Sequence, residues 1–175
     1  MAKGIYQLLI YLPKNAWIII GKRGKFRFPK GYYIYTGSAR NGLEKRIKRH
    51  LNKKKKHFWH IDYLLDSALI KKVFLFTNGK LVAKQKISSH TPHPNPLPQG
   101  VRGLHKFPPP LMGGGEREGD YVNLFNSFAT DECDLNLKIL EMPNAKIIMP
   151  RFGSSDCNCP AHLVFFEKMP KMKLI

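Results

Sequence analysis

The hydrophobic pattern of this chain changes period near residue 42, and that change restricts the fold more than any other feature. Before it, the segments GIYQLLIYL (4–12) and GYYIYTG (31–37) are rich in β-branched and aromatic residues, which is typical of strands. After it, Leu43, Ile47 and Leu51 recur every four residues, which predicts the buried stripe of a short helix. Strands followed by helices predict an α+β fold.

Three further segments extend the predicted sheet. AWIIIG (16–21) follows a Pro-Lys-Asn turn signal and predicts a strand that pairs back on 4–12 as a hairpin. KRGKFRFPKG (22–31) alternates basic and aromatic residues, as a half-exposed ribbon does. The segment KKVFLFTNGKLVAKQKI (71–87) has the pattern of two strands joined by an Asn-Gly hairpin turn.

The remaining elements lie on either side of an unusual segment. Residues 59–69 and 129–141 have helical spacing, and residues 145–149 and 162–166 predict a short strand and a closing strand. The predicted inward-facing residues are Trp59, Tyr63 and Leu64 in the second helix and Cys133, Leu137 and Leu140 in the third, with Thr130 or Asp131 as the cap of the third. We therefore expect a small central antiparallel sheet flanked by three helices.

Residues 88–120 contain seven prolines and six glycines and follow neither period. A structureless segment of this length is unusual inside a compact domain, so the composition predicts a disordered surface insertion. Loop-closure entropy grows slowly with loop length, so one domain can tolerate such an insertion between its N-terminal part (1–87) and its C-terminal part (121–175). A proline-rich docking segment is the alternative interpretation.

Positive charge is concentrated in the first half of the chain. Residues 1–72 hold 18 of the 30 Lys and Arg residues but only 3 of the 12 acidic ones. A field this strong favours a polyanion, most simply nucleic acid, although a generally basic protein is the alternative. The residues predicted to contact the nucleic acid are Gly37, Ser38, Arg40, Lys45, Arg49, Lys53, Lys54, Lys55 and Lys56. The last four form a basic run that is equally compatible with solvated charge.

The cysteine content and the apolar segments predict a cytoplasmic protein. Three cysteines cannot all pair within the chain, which suits a reducing compartment. No stretch approaches the ~18 apolar residues of a membrane span, so we expect no membrane partner. The oligomeric state is left open.

The stretch GSARNGLEKRIKRH (37–50) has the residue types that phosphodiester hydrolysis requires. That reaction needs a base for water, a cation beside the developing charge, and usually a metal ion. Tyr6 and Tyr35 end neighbouring predicted strands and can supply the base if a nearby cation lowers a phenol pKa from about 10. Arg46 offers a permanently charged fork for phosphate, and His50, one turn later, can shuttle a proton.

Five elements in one order carry a resemblance to a known family. The triplets GIY (4–6) and YTG (35–37) resemble the two motifs of the GIY-YIG nuclease superfamily, with Thr in place of an aliphatic residue in the second. More closely, nearly all of the chain outside 88–120 resembles DUF123, a small prokaryotic subfamily of unknown function sometimes fused to endonuclease III. The elements are GIYQLLIYL, GYYIYTGSARNGLEKRIKRHL, KKKHFWHIDYLL, DECDLNL and FGSSDCNCPAHLVFF.

The resemblance implies a GIY-YIG-like fold and a role for each candidate residue. Tyr6 and Tyr35 would be the paired active-site tyrosines, one of them the general base, and Arg46 would bind the scissile phosphate. A glutamate on the third helix would bind a single divalent ion, Mg²⁺ or Mn²⁺. Glu132 matches that glutamate best, and Glu141 is the weaker candidate.

A further histidine often assists in this superfamily, and HFWH offers both His57 and His60. Each assignment has a structural alternative. The tyrosines can be ordinary strand aromatics, Arg46 and His50 can form a solvated helix face, and Glu132 can simply suit the helix dipole.

The late cysteines raise a separate possibility. Cys133, Cys157, Cys159 and His162 are three thiols and one imidazole, the ligand types of a structural zinc site. The C-x-C spacing is tighter than the usual two to four intervening residues. Small buried thiols in a tight turn are the alternative.

We expect Tyr6, Tyr35, Arg46 and Glu132 to converge on one face of the fold. The predicted function is a metal-dependent DNA endonuclease that acts on duplex or branched DNA at one metal ion. Its resemblance to domains fused to endonuclease III suggests a link to base-excision repair enzymes. A catalytically inactive nucleic-acid-binding module of the same fold is the alternative, and a zinc-stabilised interaction domain is a third hypothesis.

Overall fold

The computed structural model describes residues 3–77, 80–87, 122–123 and 131–173. Within them, the chain forms an α+β fold with a central antiparallel sheet and three helices, as the sequence predicts. The strands are β1 (Gly4–Leu12), β2 (Ala16–Ile19), β3 (Lys25–Phe28), β4 (Gly31–Ala39), β5 (Leu69–Thr77), β6 (Lys80–Lys86), β7 (Val122–Asn123), β8 (Leu163–Phe166) and β9 (Met172–Lys173). The helices are α1 (Leu43–Leu51), α2 (His60–Leu65) and α3 (Glu132–Leu140), with a 3-10 turn at Gly21–Arg23.

The central sheet has the order β6-β5-β1-β4-β8, and every neighbouring pair is antiparallel. Strand β8 follows residues 88–120 in the chain and pairs with β4, so segments from both sides of that region build one sheet. Strands β7 and β9 form a separate parallel pair. The predicted disorder of residues 88–120 lies outside the described residues, and the proposed domain boundaries stay a prediction.

Two hydrophobic clusters cover the two faces of the sheet, because successive β1 side chains point to opposite faces. Tyr6, Leu8 and Ile10 face α1 and α2, whereas Ile5 and Leu9 face α3. Strand β1 is therefore buried on both faces, which explains why its sequence is nearly continuously apolar.

The predicted hairpin between residues 4–12 and 16–21 is wrong. Strand β2 pairs with β3 in a small separate sheet, with Ala16 opposite Phe28. Both edges of β1 are already occupied by β4 and β5, so no edge remains for β2.

The predicted half-exposed ribbon is confirmed in β3, and the predicted strand at 145–149 reduces to one bridge between Lys146 and Phe165. Strands β5 and β6 pair as predicted, and their connecting residues 78–79 lie outside the described part.

The helices form where their sequences predict, and the predicted buried faces are confirmed in part. In α1, Leu43 and Ile47 are buried as predicted, but Leu51 is exposed and His50 is buried in its place. In α3, Leu137 is exposed, and the buried face consists of Leu135, Asn136 and Ile139. Tertiary packing rather than local spacing therefore selects the buried face. In α2, Leu64 is buried as predicted, together with Ile61, whereas Trp59 and Tyr63 are half-buried. No helix among the described residues has the length and apolarity that a bilayer crossing requires.

Candidate active site

A pocket of about 280 Å³ opens at the end of the sheet where β1 begins and β4 ends. Its wall includes Tyr6 from β1, Tyr35 from β4, Arg46 from α1, His60 from α2 and Glu132 from α3. The structure thus brings to one place the four side chains expected to converge, together with a candidate histidine. Each comes from a different element, so only the folded chain assembles the pocket.

The two phenols project side by side from adjacent strands. Tyr6 pairs across the ladder with Gly37, and Tyr35 pairs with Leu8 two residues along β1, so both phenols lie on one face. Their ring centroids are 6.2 Å apart. Gly37 makes room for the Tyr6 phenol, because a Cβ at position 37 would lie 2.6 Å from the Tyr6 oxygen.

Burial controls the protonation of the phenols. It raises the pKa of Tyr6 well above its usual value, and the neighbouring Tyr35 raises it further, while Arg46 acts in the opposite direction. Burial also raises the pKa of Tyr35, and the Glu132 carboxylate adds to that effect. Arg46 therefore lowers both values, but not enough to give the net decrease that the sequence argument required. Both tyrosines are neutral phenols at pH 7.

His50 lies behind Tyr6 rather than in the pocket wall. Its Nε2 is 2.8 Å from the Tyr6 oxygen, and its side chain is buried. Burial, followed by the charge of Lys55, lowers the pKa of His50 to about 3, so the ring is neutral. Its Nδ1 is buried and has no hydrogen-bond partner among the described residues. An unpaired N–H costs more than an unpaired lone pair, which favours the tautomer in which Nε2–H donates to the Tyr6 oxygen.

Arg46 reaches the pocket across the face of Trp59. Its guanidinium carbon lies 3.9 Å from the Trp59 ring centroid, and that of Arg49 lies 4.6 Å away. Stacking holds the planar fork in place while its edge N–H groups stay available for an oxyanion. Arg49, in contrast, donates to Asp62 at 2.7 Å and to the Lys56 carbonyl at 2.9 Å.

Asp62 organises the loop between α1 and α2, and the sequence analysis missed it. Its Oδ2 accepts hydrogen bonds from Arg49 and from the backbone N–H groups of Phe58 and Trp59. Burial raises the pKa of Asp62, but these backbone donors, Lys55 and Arg49 outweigh burial and hold it below its usual value. The available signal was an acidic residue, one of three in residues 1–72, in the first turn of a predicted helix.

Lys55 is turned inward, unlike the other lysines of the predicted basic run. Its side chain is 5% exposed, and its Nζ contacts the carbonyls of Arg49 and His50 and, at 3.4 Å, the Asp62 carboxylate. Burial lowers the pKa of Lys55, and Asp62 opposes that shift. The charge of Lys55 is used inside the loop, and the nucleic-acid contact predicted for it stays a prediction.

His60 lies in the pocket wall in a defined orientation. The backbone N–H of Gly153 donates to its Nδ1 at 3.2 Å, so the proton of the neutral ring sits on Nε2. Burial lowers the pKa of His60, and Arg23 adds to this effect. His57, the neighbouring candidate, is instead at the surface and pairs with Asp66 at 2.7 Å.

Glu132 is the first residue of α3. The preceding Asp131 caps the helix by accepting the N–H groups of Cys133 and Asp134, so Glu132 has no capping role and its side chain lines the pocket. Glu141 is exposed at the opposite end of α3 and does not line the pocket. The pocket thus distinguishes the two candidate glutamates by position.

A family model matches residues 5–92 and 116–174, and its description is "Domain of unknown function DUF123". These ranges cover most of the chain. The chain belongs to the DUF123 family. The gap at 93–115 falls inside the Pro/Gly-rich segment. No curated protein and no solved structure matches this DUF123 chain.

The DUF123 chain also gathers a metal-ligand cluster beside the pocket. The ligand atoms of Cys133, Cys157, Cys159 and His162 all lie within 4.8 Å of one another, and this cluster can hold a metal ion such as zinc. His162 contributes both to this cluster and to the pocket wall. Burial raises the pKa of Cys133, and the neighbouring thiols of Cys157 and Cys159 raise it further. Burial also raises the pKa of Cys159, although the hydrogen bond with Cys133 acts in the opposite direction.

The other predicted nucleic-acid contacts divide into pocket residues and exposed basic residues. Gly37 and Ser38 line it, and Ser38 is half-buried. The exposed members of the predicted set are Arg40, Lys45, Lys53, Lys54 and Lys56. Phe58 is 78% exposed and also lines the pocket, a feature that the sequence analysis missed.

Proposed function

We propose that this DUF123 domain is a metal-dependent DNA endonuclease of the GIY-YIG type, hydrolysing a phosphodiester bond at a single divalent ion. One observation carries the proposal: two phenols, an arginine stacked on tryptophan, a neutral histidine and a carboxylate share one pocket. This is the set of groups that the GIY-YIG resemblance implies. It is also the set that phosphoryl-oxygen displacement requires.

Arg46 would bind the scissile phosphate. Its fork is stacked on Trp59 and needs little reorganisation to donate two parallel hydrogen bonds to phosphate oxygens. His60 can donate a third hydrogen bond from Nε2, because Gly153 occupies its Nδ1. These donors act most strongly on the charge that develops in the transition state.

Tyr6 is the better general base of the two phenols. Its oxygen faces His50 Nε2 at 2.8 Å, so the phenolate would gain a charge-assisted hydrogen bond from His50 as well as attraction to Arg46. The phenolate takes the proton of the attacking water and becomes a phenol again. In this arrangement His50 is a positioning residue, because it acts through Tyr6 and does not line the pocket.

The pocket suits a hard divalent cation. Glu132 supplies a carboxylate, and Asp156 and Ser155 also line the wall, so the available donors are the oxygen ligands that Mg²⁺ and Mn²⁺ prefer. When bound, such an ion would stabilise the negative charge on the leaving oxygen. Glu132 is the residue we expect to hold it.

We expect the exposed residues Arg40, Lys45, Lys53, Lys54 and Lys56 to provide affinity for the DNA backbone. Phosphate contacts of this kind position the duplex and convey no sequence information. Phe58, which is exposed and lines the pocket, offers an aromatic face on which an unstacked nucleobase of the DNA could stack. A branched or locally unpaired duplex would therefore suit the pocket better than a regular one.

The test is metal-dependent cleavage of supercoiled plasmid, linear duplex, single-stranded and branched DNA by the full chain. Glu132→Gln and Arg46→Ala should abolish cleavage while DNA binding persists. The matched control is Glu141→Gln, a change of the same type at the C-cap of α3 and outside the pocket, and it should cleave normally. Equal cleavage by the Glu132→Gln and Glu141→Gln proteins would overturn the proposed metal-binding role of Glu132.

The raised phenol pKa values favour a second candidate, an inactive nucleic-acid-binding module of the same fold. A phenol with a raised pKa forms little phenolate at neutral pH, so it is a poor general base. That module would show salt-sensitive DNA binding and no cleavage with Mg²⁺, Mn²⁺ or any substrate structure. Cleavage lost on Tyr6→Phe would exclude it.

A further inference from the structure

We propose that Cys133, Cys157, Cys159 and His162 bind one structural zinc ion that joins the start of α3 to the loop before β8. This ion would fix the position of Glu132, the residue next to Cys133. The zinc site itself does not depend on the nuclease activity. Its consequence for Glu132 rests on the proposed function.

The distances suit tetrahedral zinc. Cys157 Sγ lies 3.3 Å and Cys133 Sγ lies 3.9 Å from His162 Nε2. In a tetrahedral centre with Zn–S near 2.3 Å and Zn–N near 2.0–2.1 Å, neighbouring ligand atoms are about 3.5–3.8 Å apart. Small side-chain adjustments would therefore complete the coordination sphere. Thiolate and imidazole are ligands that zinc favours and Mg²⁺ does not, so the cluster and the oxygen-lined pocket would select different ions.

The ligand loop is held by contacts that involve no ion. Arg151 has a left-handed backbone conformation, with φ of 61°, and its side chain donates to the carbonyls of Cys157 and Cys159 at 2.6 and 3.4 Å. Its backbone N–H donates to the Pro160 carbonyl at 2.6 Å. These bonds connect Arg151 to the backbone of both cysteines in the loop. The Arg151 charge also suits a centre of three thiolates and one Zn²⁺, whose net charge is −1.

The helix side of the cluster is held equally well. Asp131 caps the first turn of α3 and thereby places Cys133. One turn later, the buried Asn136 amide donates to the Ala161 carbonyl at 2.6 Å, directly before the ligand His162. The Asn136–Ala161 hydrogen bond and the thiol cluster therefore both connect α3 to the loop, and of these two only the cluster requires an ion.

Zinc loss would affect the pocket through the first turn of α3. Without the ion, three thiols and a histidine at close range have little mutual attraction, and the first turn of α3 loses the attachment that the ligand Cys133 provides. Glu132, adjacent to the ligand Cys133, would then lose its fixed position in the pocket wall. Activity would decrease even though no catalytic side chain had changed.

The first experiment is elemental analysis of the full chain purified without chelator. About one zinc per chain is expected, and Cys133→Ser or Cys159→Ser should lower it to background. The control variant is His57→Ala, which removes a histidine outside the cluster and should retain the zinc. Wild-type protein with background zinc, or with another metal in its place, would overturn the proposal.

A second experiment covers the case in which the cysteine variants do not fold. Wild-type protein treated with a chelator should lose at least about 10 °C in Tm and recover it with Zn²⁺ but not with Mg²⁺. Replacement of zinc by Co²⁺ should produce the visible absorption of a tetrahedral cobalt–thiolate centre. An unchanged Tm with no cobalt–thiolate absorption would reject the site.

Glu132→Gln separates the two proposals. This variant should keep one zinc per chain and the wild-type Tm while losing Mg²⁺-dependent cleavage. Zinc-loaded wild-type protein that cleaves no DNA would reject the proposed function and leave the zinc site intact. Cleavage by protein that binds no zinc would reject the zinc site and leave the function intact.

Discussion

Replacement of Asp62 by asparagine should destabilise the fold, because Asp62 is a fully buried carboxylate with one strong ionic partner. Its Oδ2 accepts N–H groups from Arg49 at 2.7 Å and from Phe58 and Trp59 at 3.0 Å each, and its Oδ1 lies 3.4 Å from Lys55 Nζ. Removal of one partner of a buried pair costs about 3–5 kcal/mol. Asparagine keeps the shape and a carbonyl acceptor, and Arg49 is partly solvated, so we expect the lower value, about 3 kcal/mol.

For a chain of this length, about 3 kcal/mol corresponds to a Tm decrease of about 6–12 °C. Urea unfolding followed by tryptophan fluorescence would measure the free energy of unfolding, since Trp59 contacts the region that changes. Asp66→Asn is the matched control, because its carboxylate is 48% exposed in a surface pair with His57. That change should cost less than about 1 kcal/mol.

The cost of Asp62→Asn should depend on pH with a defined sign. The pKa of Asp62 is lower in the folded chain than its usual value, so the carboxylate stabilises the fold above pH about 4. That stabilisation is lost as the pH falls through the lower, folded-state pKa. The wild type and the variant should therefore differ fully at pH 7 and converge in acid. Equal stability of the Asp62→Asn and Asp66→Asn proteins at pH 7 would refute this account of the loop.

Three further predictions concern the pocket and the basic surface. Tyr6→Phe should lower the cleavage rate about 10²–10⁴-fold. The wild-type cleavage rate should rise roughly tenfold per pH unit between about pH 6 and 9, because the raised pKa of Tyr6 leaves the phenolate scarce at neutral pH. A pH–rate profile that is flat over this range would argue against a phenolate base. Gly37→Ala should displace the Tyr6 phenol and lower the cleavage rate; normal cleavage would show that the phenol need not occupy its present position. Joint replacement of Lys53, Lys54 and Lys56 by alanine should reduce the slope of log affinity against log salt by about 2–3, and an unchanged slope would place the DNA elsewhere.

The sequence predicted the elements that depend on local pattern. The strands that carry Tyr6 and Tyr35 and the helix that carries Arg46 were identified from apolar runs and a change of period, which are local properties. The assembly of these residues and Glu132 was expected only through the family resemblance. No local spacing relates Glu132 to residues about a hundred positions earlier in the chain.

What the sequence could not show depends on competition between distant segments. Strand β2 does not pair with β1, because β5, which lies some fifty residues later in the chain, pairs with an edge of β1 instead. His50 was predicted on a helix face open to solvent or substrate, but packing against Tyr6 and Trp59 buries it. Lys55 is predicted to lie at the surface because lysine runs usually do, whereas the carbonyls of Arg49 and His50 and the buried Asp62 carboxylate explain its inward orientation.

The position of β8 at the edge of the central sheet has a consequence for biosynthesis. Strand β4 emerges from the ribosome early, but its partner β8 comes about 130 residues later. At about 5–20 residues per second, the interval between residues 39 and 166 lasts about 6–25 s. During that time an apolar strand edge lacks its native neighbour, a condition that promotes pairing with other nascent chains. A chaperone that shields this edge during translation would raise the yield of folded protein.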